Sequence, residues 1–500
     1  MKNIILIIFL FVSIATIVAQ EKQEFNPLYK DRIDILFQNM FEQNFDEISY
    51  YFADEIKYFN EKGKEKVKNI LKNIAFQKHQ LLKYQISDIS KVEDKYRVYL
   101  ITDNQENFNF VFDEKGIFFE INMYELTIQS YSNLIEPSII PFLLRDDELI
   151  TFDLTINCSD KKSKFLFDTG AAILVIDSTI AKNNNLKIIS KQIITGAYGE
   201  KVYNIILIDS LTIGDIILKN VVGMVDNLKK FDVDGIIGND VLKNYVTKID
   251  YDNKKFIFYN QIAECKDLYT GKIVFDLVEG LPVTEISIKL KTGEFFTGKV
   301  IIDSGASPYF LISSKLTNDN NLLSKFNPKL LTGSKTLTTS YHTEFISAID
   351  TLFFYNTFVD VPIIIPTSST GALENSNYSL GILGNGIIKK YNWIIDYSSK
   401  IAYLQKNKFF NQEFNYPNTN FSIKSENQKL YFHIIQPNSD EEKAGIKSNF
   451  EIISVNKLKI DELSKIKQLF KIQNQKIKIK YIDNLNNIKY WNVKTSNKLI

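Results

Sequence analysis

Asp168-Thr169-Gly170 and Asp303-Ser304-Gly305 stand 135 residues apart in matching surroundings. Each follows an apolar, strand-like run, Phe165-Leu166-Phe167 in one case and Val300-Ile301-Ile302 in the other, and each continues through Ala171 or Ala306 into a further apolar stretch. The pattern predicts a carboxylate on a tight turn at the end of a buried strand, twice. Two carboxylates brought to about 3 Å cannot both ionise, so such a pair shares one proton and titrates as a unit. One member can then take a proton from water while the other gives one to a carbonyl oxygen. A lone Asp in such a turn has a plainer use, accepting local backbone hydrogen bonds.

The elements that must position these turns repeat as well. After the first turn come Gly235-Ile236-Ile237-Gly238-Asn239, then Asn244-Tyr245 and Lys248-Ile249-Asp250-Tyr251; after the second come Gly381-Ile382-Leu383-Gly384-Asn385, then Lys390-Tyr391 and Ile394-Ile395-Asp396-Tyr397. The order of parts is the same in both halves, which identifies an internal duplication. Gly170 and Gly305 allow the backbone to turn tightly beneath the carboxylates and bring amide donors close to their oxygens.

On these motifs the chain resembles a two-lobed, retropepsin-like aspartic protease, the resemblance covering roughly residues 139–408. It implies one Asp-Thr/Ser-Gly turn per lobe, crossed beneath by an apolar-apolar-Gly segment, here the segments ending at Gly238 and Gly384. Asp168 and Asp303 are then the expected catalytic pair, and Thr169 and Ser304 the hydroxyls that reach across to lock the opposite turn. Ala171 and Ala306 are similar to the retroviral branch rather than to the pepsin branch, which has Ser or Thr there. A flap is expected over the substrate. Thr195-Gly196-Ala197-Tyr198-Gly199-Glu200, with two glycines flanking an aromatic, suits its tip, and Tyr198 is the flap candidate; an ordinary exposed turn is the alternative. The matching stretch of the second lobe, Thr332 to His342, carries no sharper signal.

Five hundred residues with 45% hydrophobic and 13% aromatic content describe several well-filled domains. A formal net charge of +1 gives no electrostatic reason to expect a nucleic-acid or anionic-membrane partner. Lys2 followed by an apolar run from Ile4 to Ala19 reads as a signal peptide over 1–19; the run is shorter than the roughly 20 residues that span a bilayer, and Ala19 suits cleavage. The mature chain is therefore expected to be exported to a periplasmic, cell-surface or secreted location, with no membrane span after cleavage. Cys158 and Cys265 are the only cysteines, too few for a disulfide framework. His79, His342 and His433 lack the spacing of a metal site, so no metal and no cofactor is expected.

Outside the duplicated region, residues 25–127 show helical spacing at Ile33, Leu36, Phe37, Met40 and Phe41 and again at Val67, Ile70, Leu71, Ile74 and Ala75. The period then changes to two over Tyr96–Ile101, Phe108–Phe112 and Ile117–Ile121, with a turn at Asp113–Gly116. Helices first and an antiparallel sheet after resemble a small NTF2-like or cystatin-like α+β domain. Residues 420–497 carry Ser439-Asp440-Glu441-Glu442-Lys443-Ala444-Gly445-Ile446 before Glu451-Ile452-Ile453-Ser454-Val455-Asn456. That run resembles the PDZ signature of exported bacterial proteases, modules that bind an extended peptide along a strand edge. Asn449-Phe450 stands where Gly-Asp is usual, Lys457 follows Asn456 instead of Gly, and the stretch Thr419–Ser422 lacks glycine.

The expected architecture is multidomain and mainly β: a signal peptide over 1–19, an N-terminal α+β domain over 25–127, protease lobes over 139–262 and 270–408, and a PDZ-like α+β domain over 420–497. The expected activity is that of an aspartic endopeptidase of bacterial type acting on polypeptide, active as a monomer because both carboxylates come from one chain, with a possible peptide ligand for the PDZ-like groove. The competing reading is an inactive peptide-binding or scaffold protein that keeps the cleft and the groove.

Overall fold

The computed structural model describes residues 26–499 except 43, 59–60, 76–83, 103–106, 126–128, 131–133, 146–147, 158, 160, 266–268, 335, 339–341 and 368–370. The leader at 1–19, His79 and Cys158 lie outside the described residues. The chain is multidomain and mainly β, and divides into two compact units, 1–127 and 128–500.

In the first unit, helix Pro27–Glu42 buries Ile33, Leu36, Phe37 and Met40. Phe41, placed on the same face by its spacing, is exposed. Eight residues of helix turn it about 80° from Ile33, to the edge of the apolar stripe. The order of elements also differs from the expected one, because strand Phe52–Tyr58 comes between the two long helices and pairs in parallel with Phe118–Glu125. Its sequence, with Asp54, Glu55 and Lys57, alternates too weakly to read as a strand. The sheet runs in the order Glu61–Lys62, Phe52–Tyr58, Phe118–Glu125, Asn107–Phe112, Lys95–Thr102, Tyr84–Val92. Phe108, Phe110, Phe112 and Phe118 fill its core against the helices.

The second unit contains two rings of six strands with the same connectivity. The first runs Leu149–Ile156, Lys162–Phe167, Gly235–Ile237, Leu174–Asp177, Ile216–Asp226, Glu200–Ile213 and back to the start. The second runs Leu281–Lys289, Phe295–Asp303, Gly381–Gly384, Phe310–Ile312, Thr357–Pro366, His342–Phe353 and back. A hairpin projects from each ring: Lys187–Thr195 paired with the first half of Glu200–Ile213, and Leu330–Ser334 paired with the first half of His342–Phe353.

A six-stranded sheet joins the two lobes. At its centre Val246–Asp250 and Tyr391–Asp396, one strand from each half, pair antiparallel with Thr247 opposite Ile395 and Ile249 opposite Trp393. One continuous apolar core passes from Phe165 and Phe167 through Ile249 and Trp393 to Ile302 and Leu383. The lobes therefore share their interior instead of meeting at a polar seam, which fixes their mutual placement.

Beyond the second lobe, a five-stranded sheet runs in chain order from Phe421–Glu426 to Ile488–Lys494. Helix Leu463–Lys471 lies beside its first strand, the Phe421 ring 5.6 Å from that of Phe470. The short helix Asp440–Lys443 is capped by Ser439, whose Oγ accepts from the Glu442 N–H. Asn449, Asn456 and Lys457 all take positive φ, at 67°, 47° and 71°. Asparagine adopts that backbone readily, whereas Lys457 pays a steric cost where glycine would not. This module grips the second lobe's hairpin: the buried Gln436 side chain accepts from Leu331 N–H at 2.8 Å and donates to Leu331 O at 2.7 Å.

Candidate active site

Strand register brings each Asp turn to the same place in its ring. Phe165, Leu166 and Phe167 run parallel to Gly235, Ile236 and Ile237, and the Asp168 N–H donates to Ile237 O at 3.0 Å. In the second lobe Ile301, Ile302 and Asp303 run parallel to Ile382, Leu383 and Gly384. Gly238 and Gly384 then take extended backbone and start the short helices Asn239–Leu242 and Asn385–Ile388. The crossing segment pins the aspartate strand by main-chain hydrogen bonds, so the turn does not rest on side-chain packing alone.

The two turns face each other without space between them. A Cβ on Gly170 would stand 2.3 Å from Asp303 Cγ, and one on Gly305 would stand 2.3 Å from Asp168 Cγ. Only glycine permits this approach, and the approach brings the carboxylates together. Beneath them the hydroxyls cross. Thr169 N–H donates to Ser304 Oγ at 3.0 Å and Ser304 N–H donates to Thr169 Oγ1 at 2.9 Å. The Thr169 hydroxyl donates to Ile302 O at 2.7 Å and the Ser304 hydroxyl to Phe167 O at 3.3 Å. Thr169 and Ser304 are buried, so each bond is shielded from competing water.

Burial is the largest cause that raises both carboxyls above the ordinary aspartate range. At Asp168 the charge of Asp303 and a hydrogen bond to it raise the value further, leaving it well above that range. At Asp303 the hydrogen bond from Asp168 and the Gly305 and Ala306 N–H groups work against burial. The two carboxyls therefore titrate as one pair with a shared proton, Asp168 accepting from Gly170 N–H at 2.8 Å and Asp303 from Gly305 N–H at 2.8 Å and Ala306 N–H at 2.9 Å.

Four residues of the repeat acquire a role that their types alone did not reveal. Asn239 donates to Thr169 O at 2.5 Å and accepts from the Tyr397 hydroxyl at 2.6 Å. Asn385 receives the Tyr251 hydroxyl at 2.9 Å, gives its own N–H to Ala306 O at 2.7 Å and donates through Nδ2 to Glu148 O. Each tyrosine comes from the lobe opposite its asparagine. The signal was present in the sequence, because Asn follows the crossing glycine and Tyr follows Ile-Asp in both halves.

Each lobe's projecting hairpin ends in a tip that reaches the opposite lobe, so there are two candidate flap tips among the described residues, not one. The first, with Gly196 N–H donating to Gly199 O at 2.7 Å, is seated on the second lobe: Ala372 N–H donates to Gly196 O at 2.9 Å and Leu373 N–H to Ala197 O at 3.2 Å. Tyr198 is buried there, its ring stacked on His342 with centroids 4.1 Å apart and its hydroxyl donating to Glu344. The bland alternative of an exposed turn does not hold for this segment. The second tip sends Leu337 into an apolar cluster of the first lobe that includes Leu166, Val175, Tyr203 and Ile236. A Cβ on Gly196 would stand 2.7 Å from the Thr338 side chain, so the tips also touch each other. The Thr332–His342 stretch gave no warning of this, since one leucine among hydroxyl residues is ordinary for a loop.

Among the described residues no group of three or more His, Cys, Asp or Glu side chains is arranged to hold a metal ion. Cys265 is buried with Val246, Tyr259 and Ile394.

No curated protein matches the chain. Residues 152–244, which contain Asp168, Thr169, Gly170 and Gly238, match the family model of the gag-polyprotein putative aspartyl protease, and over that stretch the chain is similar to that family.

Proposed function

We propose that this chain is a single-chain aspartic endopeptidase in which Asp168 and Asp303 act together on a peptide bond. The observation that carries the reading is the pair of Asp turns, locked to each other by reciprocal hydroxyl bonds and sharing one proton. A water between the carboxylates loses a proton to Asp303 as its oxygen attacks the scissile carbonyl carbon, and the Asp168 proton passes to the carbonyl oxygen. Collapse of the tetrahedral intermediate returns that proton to Asp168, while Asp303 protonates the leaving amine. Acid and base are thus regenerated with no covalent intermediate.

Both carboxylates lie in one chain, so a monomer suffices. The apolar leader supports export to a periplasmic, cell-surface or secreted location. The edge strand Phe421–Glu426 beside helix Leu463–Lys471 supports a PDZ-like reading of the last module, and a sheet packed on helices supports an NTF2-like reading of the first.

One observation favours the second reading, a binding protein without turnover: both flap tips are seated, and peptide enters only after they lift. The test is hydrolysis of a mixed peptide library by the mature chain, by Asp168→Asn and by Asp303→Asn. Either substitution should remove activity by several orders of magnitude while circular dichroism is unchanged, and the double variant should be little worse, because the pair acts as a unit. Retained cleavage in either single variant sinks the dyad; binding without cleavage by the unmodified chain favours the second reading.

A further inference from the structure

The seated Tyr198 occupies a pocket built from the segments that hold Asp303. Ile301 lies two residues before Asp303 on the same strand and therefore faces the same side as that carboxylate. Ile382 lies on the crossing strand two residues before Gly384, and Ala306 lies at the end of the Asp turn. These residues, with Leu311 and Ile364, belong to the same apolar cluster as Tyr198. The walls are apolar, one side is the flat His342 ring, and the polar end is the buried carboxylate of Glu344. An apolar slot with a stacking face and one terminal acceptor matches a phenol better than an aliphatic or cationic side chain.

The first lobe shows that this polarity is particular to one side. Ile346 pairs with Ile364, Ile364 with Leu311 and Leu311 with Ile382; in the same way Ile205 pairs with Met224, Met224 with Val175 and Val175 with Ile236. Glu344, two residues before Ile346, thus corresponds to Tyr203, two residues before Ile205. The first lobe has a phenol where the second has a carboxylate, and its resident flap residue is Leu337.

We infer that the second lobe's pocket is a specificity site for a tyrosine side chain of the substrate, read through Glu344, and that Tyr198 fills it in the peptide-free chain as a stand-in for that residue. The inference rests on the proposed peptidase reading. Lifting the flap withdraws the Tyr198 hydroxyl from Glu344 and takes one hydrogen bond from a buried side chain. A substrate tyrosine restores the bond, and a phenylalanine of equal shape does not. Leaving a buried acceptor short of a donor is costly, so tyrosine should be favoured over phenylalanine by about tenfold or more.

The experiment uses the full mature chain and a positional library of octapeptides in which one position at a time carries Tyr, Phe or Leu. Cleavage is read with the unmodified chain, and retention with immobilised Asp168→Asn. At one position Tyr should exceed Phe by about tenfold or more in both readouts, and Glu344→Leu should bring that ratio to about one. Tyr198→Phe, which keeps the ring but releases Glu344 from its resident hydroxyl, should lower the KM of Tyr peptides relative to that of Phe peptides, and it tests the idea even where Glu344→Leu folds poorly. Equal use of Tyr and Phe at every position, or a preference that persists in Glu344→Leu, overturns the pocket assignment while leaving the peptidase reading in place. Retention of Tyr peptides without any cleavage overturns the peptidase reading and leaves the pocket; neither cleavage nor retention overturns both.

Discussion

The Tyr251 hydroxyl of the first lobe donates to Asn385 Oδ1 of the second at 2.9 Å, and Tyr397 returns the contact to Asn239 Oδ1 at 2.6 Å. Burial raises both phenols well above the ordinary tyrosine range, so they stay neutral donors at neutral and acidic pH. Asn239 in turn holds Thr169 O, and Asn385 holds Ala306 O, so each brace reaches an Asp turn within two bonds. The lobes position each other's Asp turns through side chains that lie outside those turns.

Tyr251→Phe and Tyr397→Phe each leave a buried amide oxygen without its donor, at a cost of about 1 to 3 kcal/mol. Urea denaturation should show both losses, and kcat should fall with little change in KM because the turns rather than the cleft walls are loosened. Wild-type stability in the double variant would mean that these bonds exchange with water at no cost.

Thr169→Val removes one acceptor and one donor from the crossed hydroxyls and strands the Ser304 N–H. A loss of about 2 to 4 kcal/mol is expected, with activity reduced more than stability, whereas Thr169→Ser should recover most of both. If the Val and Ser variants behave alike, the crossed bonds are not what holds the turns.

Both carboxyls of the pair titrate above the ordinary aspartate value, burial being the leading cause at each. The folded chain therefore binds more protons here than the unfolded chain. The pair's stability contribution is complete below the unfolded aspartate value and is lost as pH rises through the folded values. As pH rises from about 4 through the folded values, Tm of the unmodified chain should fall relative to Tm of Asp168→Asn, which carries no second charge. Activity should follow a bell with its maximum on the mildly acidic side, because the pair must retain its one shared proton. A Tm difference that is constant with pH contradicts the coupling.

Gly371 lies against the first flap tip, where a Cβ would stand 2.1 Å from Gly196 O and 2.5 Å from Gly199 N. Gly371→Ala should keep the flap from seating while the ring core, which it does not touch, stays intact. Amide exchange at Ala372 and Leu373 should rise strongly, and kcat/KM should fall by about tenfold or more through poorer exclusion of water. Unchanged exchange at those two amides would show that the tip seats elsewhere.

The two Asp turns and their crossing glycines were legible because the chain writes them twice. Chemistry confined to a few consecutive residues survives in sequence, and duplication makes it conspicuous. The ring closure was not legible, since pairing of Thr155 with Thr212, or of Ser287 with Phe353, is a long-range choice that local pattern does not encode. Tyr198 read equally well as a flap tip and as a surface turn, because its partners, His342 and Glu344, come from the other lobe. Phe52–Tyr58 was missed because its alternation is broken by charges, its place being set by a parallel partner about 65 residues away.

Joining the two rings through the sheet of Val246–Asp250 and Tyr391–Asp396 has one more effect. Two identical copies meeting about an axis must present the same wall on either side, and a bound strand reads the same to them in both directions. One continuous chain escapes that identity: Tyr203 and Leu337 share a cluster on one side while Glu344 accepts from Tyr198 on the other. On the proposed reading the cleft has a left and a right hand, with which to tell the amino end of a bound strand from its carboxyl end.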